Sequence, residues 1–197
     1  IKFYTTKYPL ISISKWNIDS LQKDFGRTGV IHYVGNGINL EDFPISYKEK
    51  DNRTILLESP EPTNNAKDVD RMALKVGNYL KQLGYRITGY GIKKPDSDIF
   101  DEFIIKPDLL TLNRLYEDAF LMIKATRYDA RSTAPIEAMT KGCVTVRAIE
   151  KGDDDLNDTN SFRCAYDEKE LMVETIRALC SCCSLEADIF RSSAQSI

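Results

Sequence analysis

Apolar residues along the chain fall into short runs parted by polar stretches rich in glycine, proline and asparagine, and two spacings recur. Residues 10 to 14, LISIS, predict a short strand, after which Ser14 is placed to cap a helix through about Phe25. Ile18, Leu21 and Phe25 fall on one face of that helix, and Gly26 is its stop. The apolar run Val30 to Val34 leads straight into Gly35-Asn36-Gly37, which is turn chemistry, and Pro44 with the polar run 46 to 53 reads as a linker. A domain boundary is placed here, dividing 1–43 from 44–197.

Thr54 to Leu57 predicts a strand and is followed by the loop SPEPTNNAKD. From Val69 the apolar positions Val69, Met72, Ala73, Val76, Leu80 and Leu83 are spaced 3, 1, 3, 4 and 3, the period of an amphipathic helix, with Gly84 as its C-terminal cap. Tyr85 to Tyr90 and Phe103 to Ile105 predict strands; Leu109, Leu112, Leu115 and Ala119 form a helical stripe; Phe120 to Ile123 is a fully apolar strand. A polar loop comes next, then a helix from about Ala134 to Lys141 stopped by Gly142, and a strand from Cys143 to Val146. Asp167 with Glu170 makes a capping box for a last helix over roughly 168 to 180. Strands alternate with helices, and the strands are continuous rather than alternating in polarity, the pattern of a sheet covered on both faces. The expected fold class is α/β, a Rossmann-like open parallel sheet with helices on both faces.

Composition narrows the function. At 197 residues and 42% hydrophobic the chain can bury a real core, and 27 Lys+Arg against 30 Asp+Glu leave a net charge of -3. That balance gives no field for polyanions, so generic nucleic-acid binding is excluded. No apolar run approaches the roughly 20 residues of a bilayer span and no basic-then-apolar leader opens the chain, so it reads as soluble and cytoplasmic. Ile at position 1 suggests a segment of a longer protein. Five cysteines, at 143, 164, 180, 182 and 183, lack CxxC spacing and stand beside a single histidine, His32. They read as free thiols, with no metal and no cofactor called for, and Asp153 to Asp155 as a solvated loop.

In open parallel sheets ligands sit where strands end and loops enter helices. The richest such loop is TRYDARSTAPIEAMTKG, residues 126 to 142. Pro135 in the first turn of its helix leaves the N–H groups near Ser132, Thr133 and Ala134 without intrahelical partners, an anion site by construction. Asp129 and Glu137 flank the helix start, with Arg127 and Arg131 beside them. Carboxylates accept bidentate bonds from vicinal hydroxyls, while arginines and amides hold phosphates, so the set suits a sugar nucleotide. Ordinary capping and helix-dipole effects account for an acid and a Ser-Thr pair at a helix start equally well.

Residues 126 to 146 resemble the signature of the GT-B retaining glycosyltransferases of the family-four type: an acid, seven residues, Glu, then AM-x-x-G and a short strand. Here these are Asp129, Glu137, Ala138-Met139, Gly142 and CVTV. YVGNGINLEDF resembles the segment joining that family's two lobes, and LNRLYEDAFLMIKATRYD its approach to the motif. Lys67 stands where the family places a phosphate-binding lysine. The resemblance implies the donor-binding C-terminal lobe, with Glu137 on the ribose hydroxyls, Asp129 near the transferred sugar, and Lys67 and the amides of Arg131, Ser132 and Thr133 on the diphosphate. It implies transfer of a hexose, with retention, from a nucleotide-diphosphate sugar to a glycan or lipid-linked acceptor. The leaving phosphate assists, with no metal demanded. It also implies little turnover by this segment alone, and membrane association only through the other lobe.

Three departures stand out. Asp129 is one methylene shorter than the family's Glu, and ARSTA replaces a glycine-rich stretch. Glu58-Ser59-Pro60 replaces the family's Gly-Arg, leaving Arg127 or Arg131 to compensate. A non-catalytic nucleotide- or partner-binding module, or a phosphorylase or epimerase on the same architecture, stays open beside the transferase. Gly89-Tyr90-Gly91 lacks the third glycine of a dinucleotide fingerprint. His32 is expected to pack or face solvent, and Trp16, Tyr33 and Phe43 to belong to the core. Pro107 to Leu109 is placed to border a nucleobase.

Overall fold

The computed structural model describes residues 8–59, 70–130, 132–152 and 161–181. The chain runs β1 (Leu10–Ser12), α1 (Lys15–Lys23), β2 (Ile31–Tyr33), β3 (Thr54–Ser59), α2 (Met72–Gln82), β4 (Arg86–Gly91), β5 (Glu102–Ile105), α3 (Leu109–Asp118), β6 (Leu121–Asp129), α4 (Thr133–Thr140), β7 (Val144–Gly152), β8 (Phe162–Cys164) and α5 (Glu168–Ser181). β1 and β2 form a two-stranded parallel sheet. The other six strands form one parallel sheet in the order β5-β4-β3-β6-β7-β8, the expected α/β fold.

Side-chain alternation sorts the core into two layers. Ile55, Leu57, Leu121, Ile123 and Ala125 face α2 and α5, packing on Val76, Leu80, Leu171 and Ala178. Leu56 and Met122 face the other way, onto Leu115, Tyr116 and Ala138 of α3 and α4. Gly84 and Gly142 end α2 and α4 at φ +87° and +68°, as their positions predict. Asp167 caps α5 through the amides of Lys169 and Glu170, while the Glu170 carboxylate reaches back to the amide of Ala165 rather than to that of the cap residue.

Four expectations are corrected. The polar loop after Ile123 is strand as far as Asp129, because Lys124 and Thr126 take up the α3/α4 side of the same alternation and both are buried. β7 likewise runs on to Gly152, beside it. Phe162–Cys164, too short to stand out in the sequence, is an edge strand. Phe25 is 41% exposed, so the apolar face of α1 rests on half-buried Trp16, Ile18 and Leu21.

The segment expected to be a linker is tied to the helices. Lys50 donates to the carbonyls of Tyr116, Glu117 and Ala119 at 2.7–2.8 Å, a cation on the negative end of α3. Ser46 bonds Glu117, and Lys141, buried under the segment, bonds the Pro44 carbonyl at 2.7 Å. Lys50→Met should lower stability by about 1–2 kcal/mol, since three helix-end carbonyls lose a charged donor. A thermal midpoint equal to that of the wild type would reject this.

Candidate functional site

The strand order reverses between β3 and β6: the chain leaves β3 toward β4 and β5, returns to β6 on the other side of β3, and continues to β7 and β8. The chain therefore continues to opposite sides from β3 and β6, and the carboxyl ends of these two strands are the switch point at which open parallel sheets form their ligand crevice. Asp129 is the last residue of β6, and α4 begins four residues later with the buried Ser132 at its N-cap. Ser132 has extended backbone angles, so the amides that follow it start the helix without intrahelical acceptors. Pro135 fits there because its position needs no N–H.

Glu137 sits one turn into α4, half-buried, and accepts a bond from the Tyr116 hydroxyl at 3.1 Å. That phenol lies 3.0 Å from the hydroxyl of Tyr90. Burial raises the pKa of Glu137, and the nearby Glu58 raises it further, while the Tyr116 and Thr133 hydroxyls and Lys124 pull the other way. Burial likewise pushes both phenols above the usual tyrosine range, so they stay neutral donors.

Beneath this lies a residue that the motif did not single out. Lys124 is 6% exposed, with Nζ 2.6 Å from Glu58 Oε2 and 3.6 Å from Asp129 Oδ2. Glu58 and Lys124 stand side by side, one step beyond the register pair Leu57 and Ile123. Five residues of extended strand advance about 16 Å, more than the two side chains span, so the end of β6 must curl back for Asp129 to meet Lys124. Gly152, paired with Asp129, has φ +109° and lies so close that a Cβ there would stand 1.5 Å from the Asp129 carbonyl oxygen.

The structure thus brings together Asp129, Glu137, Ser132 and Thr133. Arg127 goes elsewhere: it has the parity of Ile123 and Ala125, facing the α2/α5 side, where it pairs with Asp70 at 2.9 Å and lies over the Tyr166 ring. Lys67 and Arg131 lie outside the described residues, as do Asp153 to Asp155, Cys182 and Cys183. Sequence reasoning passed over Lys124, Tyr116 and Tyr90, and treated Glu58 only as a replacement. The available signal was a lysine and a glutamate inside strands otherwise apolar.

The lesser candidates are structural. A Cβ on Gly89 would meet the Phe100 ring, and one on Gly91 the Ser59 carbonyl, so close packing accounts for both glycines. His32 is exposed on β2. Trp16 stacks on Tyr128 with ring centroids 6.0 Å apart, fastening α1 beside the end of β6, and Phe43 packs on Tyr116. Asp108 caps α3 through the Thr111 amide, leaving Leu109 and Leu110 exposed at the carboxyl edge of the sheet. Cys143, Cys164 and Cys180 are free thiols, and burial pushes that of Cys164 up to about 12. Among the described residues no helix is long and apolar enough to cross a membrane.

No protein-family model and no curated protein matches the chain. Solved structures do. A glycosyltransferase from Rickettsia africae superposes with a TM-score of 0.76 at 13% identity, over 99% of this chain and 60% of that one. Sucrose-phosphate synthase from Thermosynechococcus elongatus gives 0.75 at 14%, over 99% and 55%. A variant of S. aureus TarM, solved with fondaparinux, alpha-GlcNAc-glycerol and UDP, gives 0.72 at 17%, over 94% and 39%. The chain therefore spans 39 to 60% of the length of these proteins. Its six-stranded parallel sheet, with helices on both faces, has the fold of the GT-B glycosyltransferases.

Proposed function

We propose that residues 44–197 are the donor-binding lobe of a retaining glycosyltransferase, preceded in 1–43 by the end of the other lobe and the hinge. The observation that carries this reading is the meeting, at the β3/β6 switch point, of Asp129 and Glu137 with the amide-bearing start of α4. Glu137 faces the crevice from α4 and takes the two ribose hydroxyls of a nucleotide; the amides from Arg131 to Thr133, with Lys67, take its diphosphate. Asp129 then lies beside the transferred hexose. Departure of the diphosphate leaves charge on its oxygens, where helix-end amides stabilise it most, and that leaving group draws the proton from the acceptor hydroxyl on the same face. The acceptor is a glycan or lipid-linked glycan, met by the other lobe, through which any contact with a membrane would also be made. TarM was solved with UDP, a neighbour of this fold holding a nucleotide of the class proposed.

One observation favours a second reading, a nucleotide-binding module without transfer chemistry: Glu58 stands where the resemblance expects a phosphate-binding Gly-Arg, and Arg127 is committed to Asp70. Titration of the folded chain with UDP, GDP, dTDP and their sugars tests what both readings share. Saturable binding of at least one is expected, and none at all overturns the donor lobe. Sugar transfer by the full-length protein separates the two.

A further inference from the structure

We propose that Lys124, anchored by Glu58, is a positioning residue for the two acids of the site, holding Asp129 in place and acting across the crevice on Glu137; as a role in the reaction this rests on the donor-lobe reading above. Two carboxylates from two strands, Glu58 of β3 and Asp129 of β6, stand within ion-pair distance of this ammonium, and Glu137 of α4 is near enough to feel its charge. The place is unusual for a lysine. Its neighbours down the same face of the sheet are Leu56 and Met122, and its own exposure is 6%.

The fold does not need a charge there. Removing an ammonium from water is costly, and replacing a buried ion pair by apolar residues of similar volume is commonly neutral or stabilising. A methionine would continue the layer below. What the ion pair adds is geometric: Asp129 lies on a strand end that curls back, and Lys124 is the fixed cation onto which it curls. Arg127, the next cation along β6, faces the other side. Among the described residues, the groups around Glu137 and Asp129 include Glu58 from β3, Lys124 from β6, Tyr116 from α3 with Tyr90 of β4 behind it, and Thr133 within α4. Arg147 of β7 is the register partner of Lys124 and is turned to Ser161, at 2.9 Å.

The experiment is a carbon-13 carboxyl titration of Asp129 and Glu137 by NMR in the chain as it stands, in Lys124→Met and in Glu58→Gln. Lys124→Met should raise the midpoint of Asp129, 3.6 Å from the ammonium, by about one pH unit or more, and that of Glu137 in the same direction by less, since Lys124 is the smallest of the influences on it. Glu58→Gln should lower them, because a like charge is removed and the lysine is left to the other two. A residue that merely filled space would leave both midpoints unmoved in a folded Lys124→Met. That result, or a fall in either midpoint there, overturns the proposal. Should Lys124→Met not fold, Lys124→Gln takes its place with the same expected rise, and Lys124→Arg, which keeps the charge, should keep the wild-type midpoints. The titration needs no nucleotide, so a wild-type chain that binds none would sink the donor lobe while leaving the ion-pair geometry separately tested.

Discussion

Glu137→Gln should weaken nucleotide binding at least tenfold and abolish sugar transfer in the full-length protein, yet leave the fold at pH 7 as stable as before or more so. The binding loss follows from the hydroxyl contacts assigned to the carboxylate. Each is a hydrogen bond to a charged acceptor, about 1.5–3 kcal/mol, and the amide that replaces it offers one acceptor oxygen where there were two. The stability gain follows from the pKa, which burial raises in the folded state. A carboxyl with a raised folded pKa contributes most to stability below its unfolded pKa and loses that contribution as pH climbs through the folded one. Ionisation of this acid is therefore disfavoured by the fold, and Gln, still able to accept from Tyr116, carries no such penalty. Thermal midpoints of the two proteins should converge as pH falls through the raised folded pKa, while the difference in nucleotide affinity at pH 7 persists. Equal affinity would remove Glu137 from the site. A marked drop in midpoint would show the ionised form to be stabilising and reverse the sign of the argument.

Much of this arrangement was legible in the sequence because it is written in local signals. The 3-and-4 spacing of α2, the glycines at positive φ that stop α2 and α4, and the acid-x7-Glu spacing all depend on neighbours close along the chain. What escaped depends on parity carried across a longer strand. Once residues 124 to 129 are read as a polar loop, nothing says that Lys124 and Arg127 point to opposite faces. As strand, that separation is forced, and the cation that reaches the acids is the lysine inside the apolar run. Tyr116 was hidden differently: it belongs to α3, and only packing of α3 against α4 brings its hydroxyl to Glu137. The same holds for Glu58, whose partner lies 66 positions away on a strand paired beside it.

The second large effect concerns a residue with no side chain. Gly152→Ala should destabilise the protein and disturb the site together, and comparison with Gly84→Ala separates the two causes. Both glycines have positive φ, +109° and +87°, so in each case alanine meets an unfavourable backbone conformation, a strain of about 1–3 kcal/mol. Around Gly84 there is open space, with nothing within 4 Å of an added Cβ, and it lies at the end of α2. Its replacement should lower the thermal midpoint modestly and leave nucleotide-sugar binding untouched. At Gly152 the added atom would stand 1.5 Å from the Asp129 carbonyl oxygen, backbone that has no rotamer with which to yield. The ends of β6 and β7 must part, and the curl that carries Asp129 over Lys124 opens with them. Stability should therefore fall further than in Gly84→Ala, and binding of a nucleotide sugar should weaken more than binding of the bare nucleotide, because Asp129 is placed at the sugar and Glu137, on α4, stays where it was. If Gly152→Ala matches Gly84→Ala in both measurements, the close approach of the two strand ends does not position the acid.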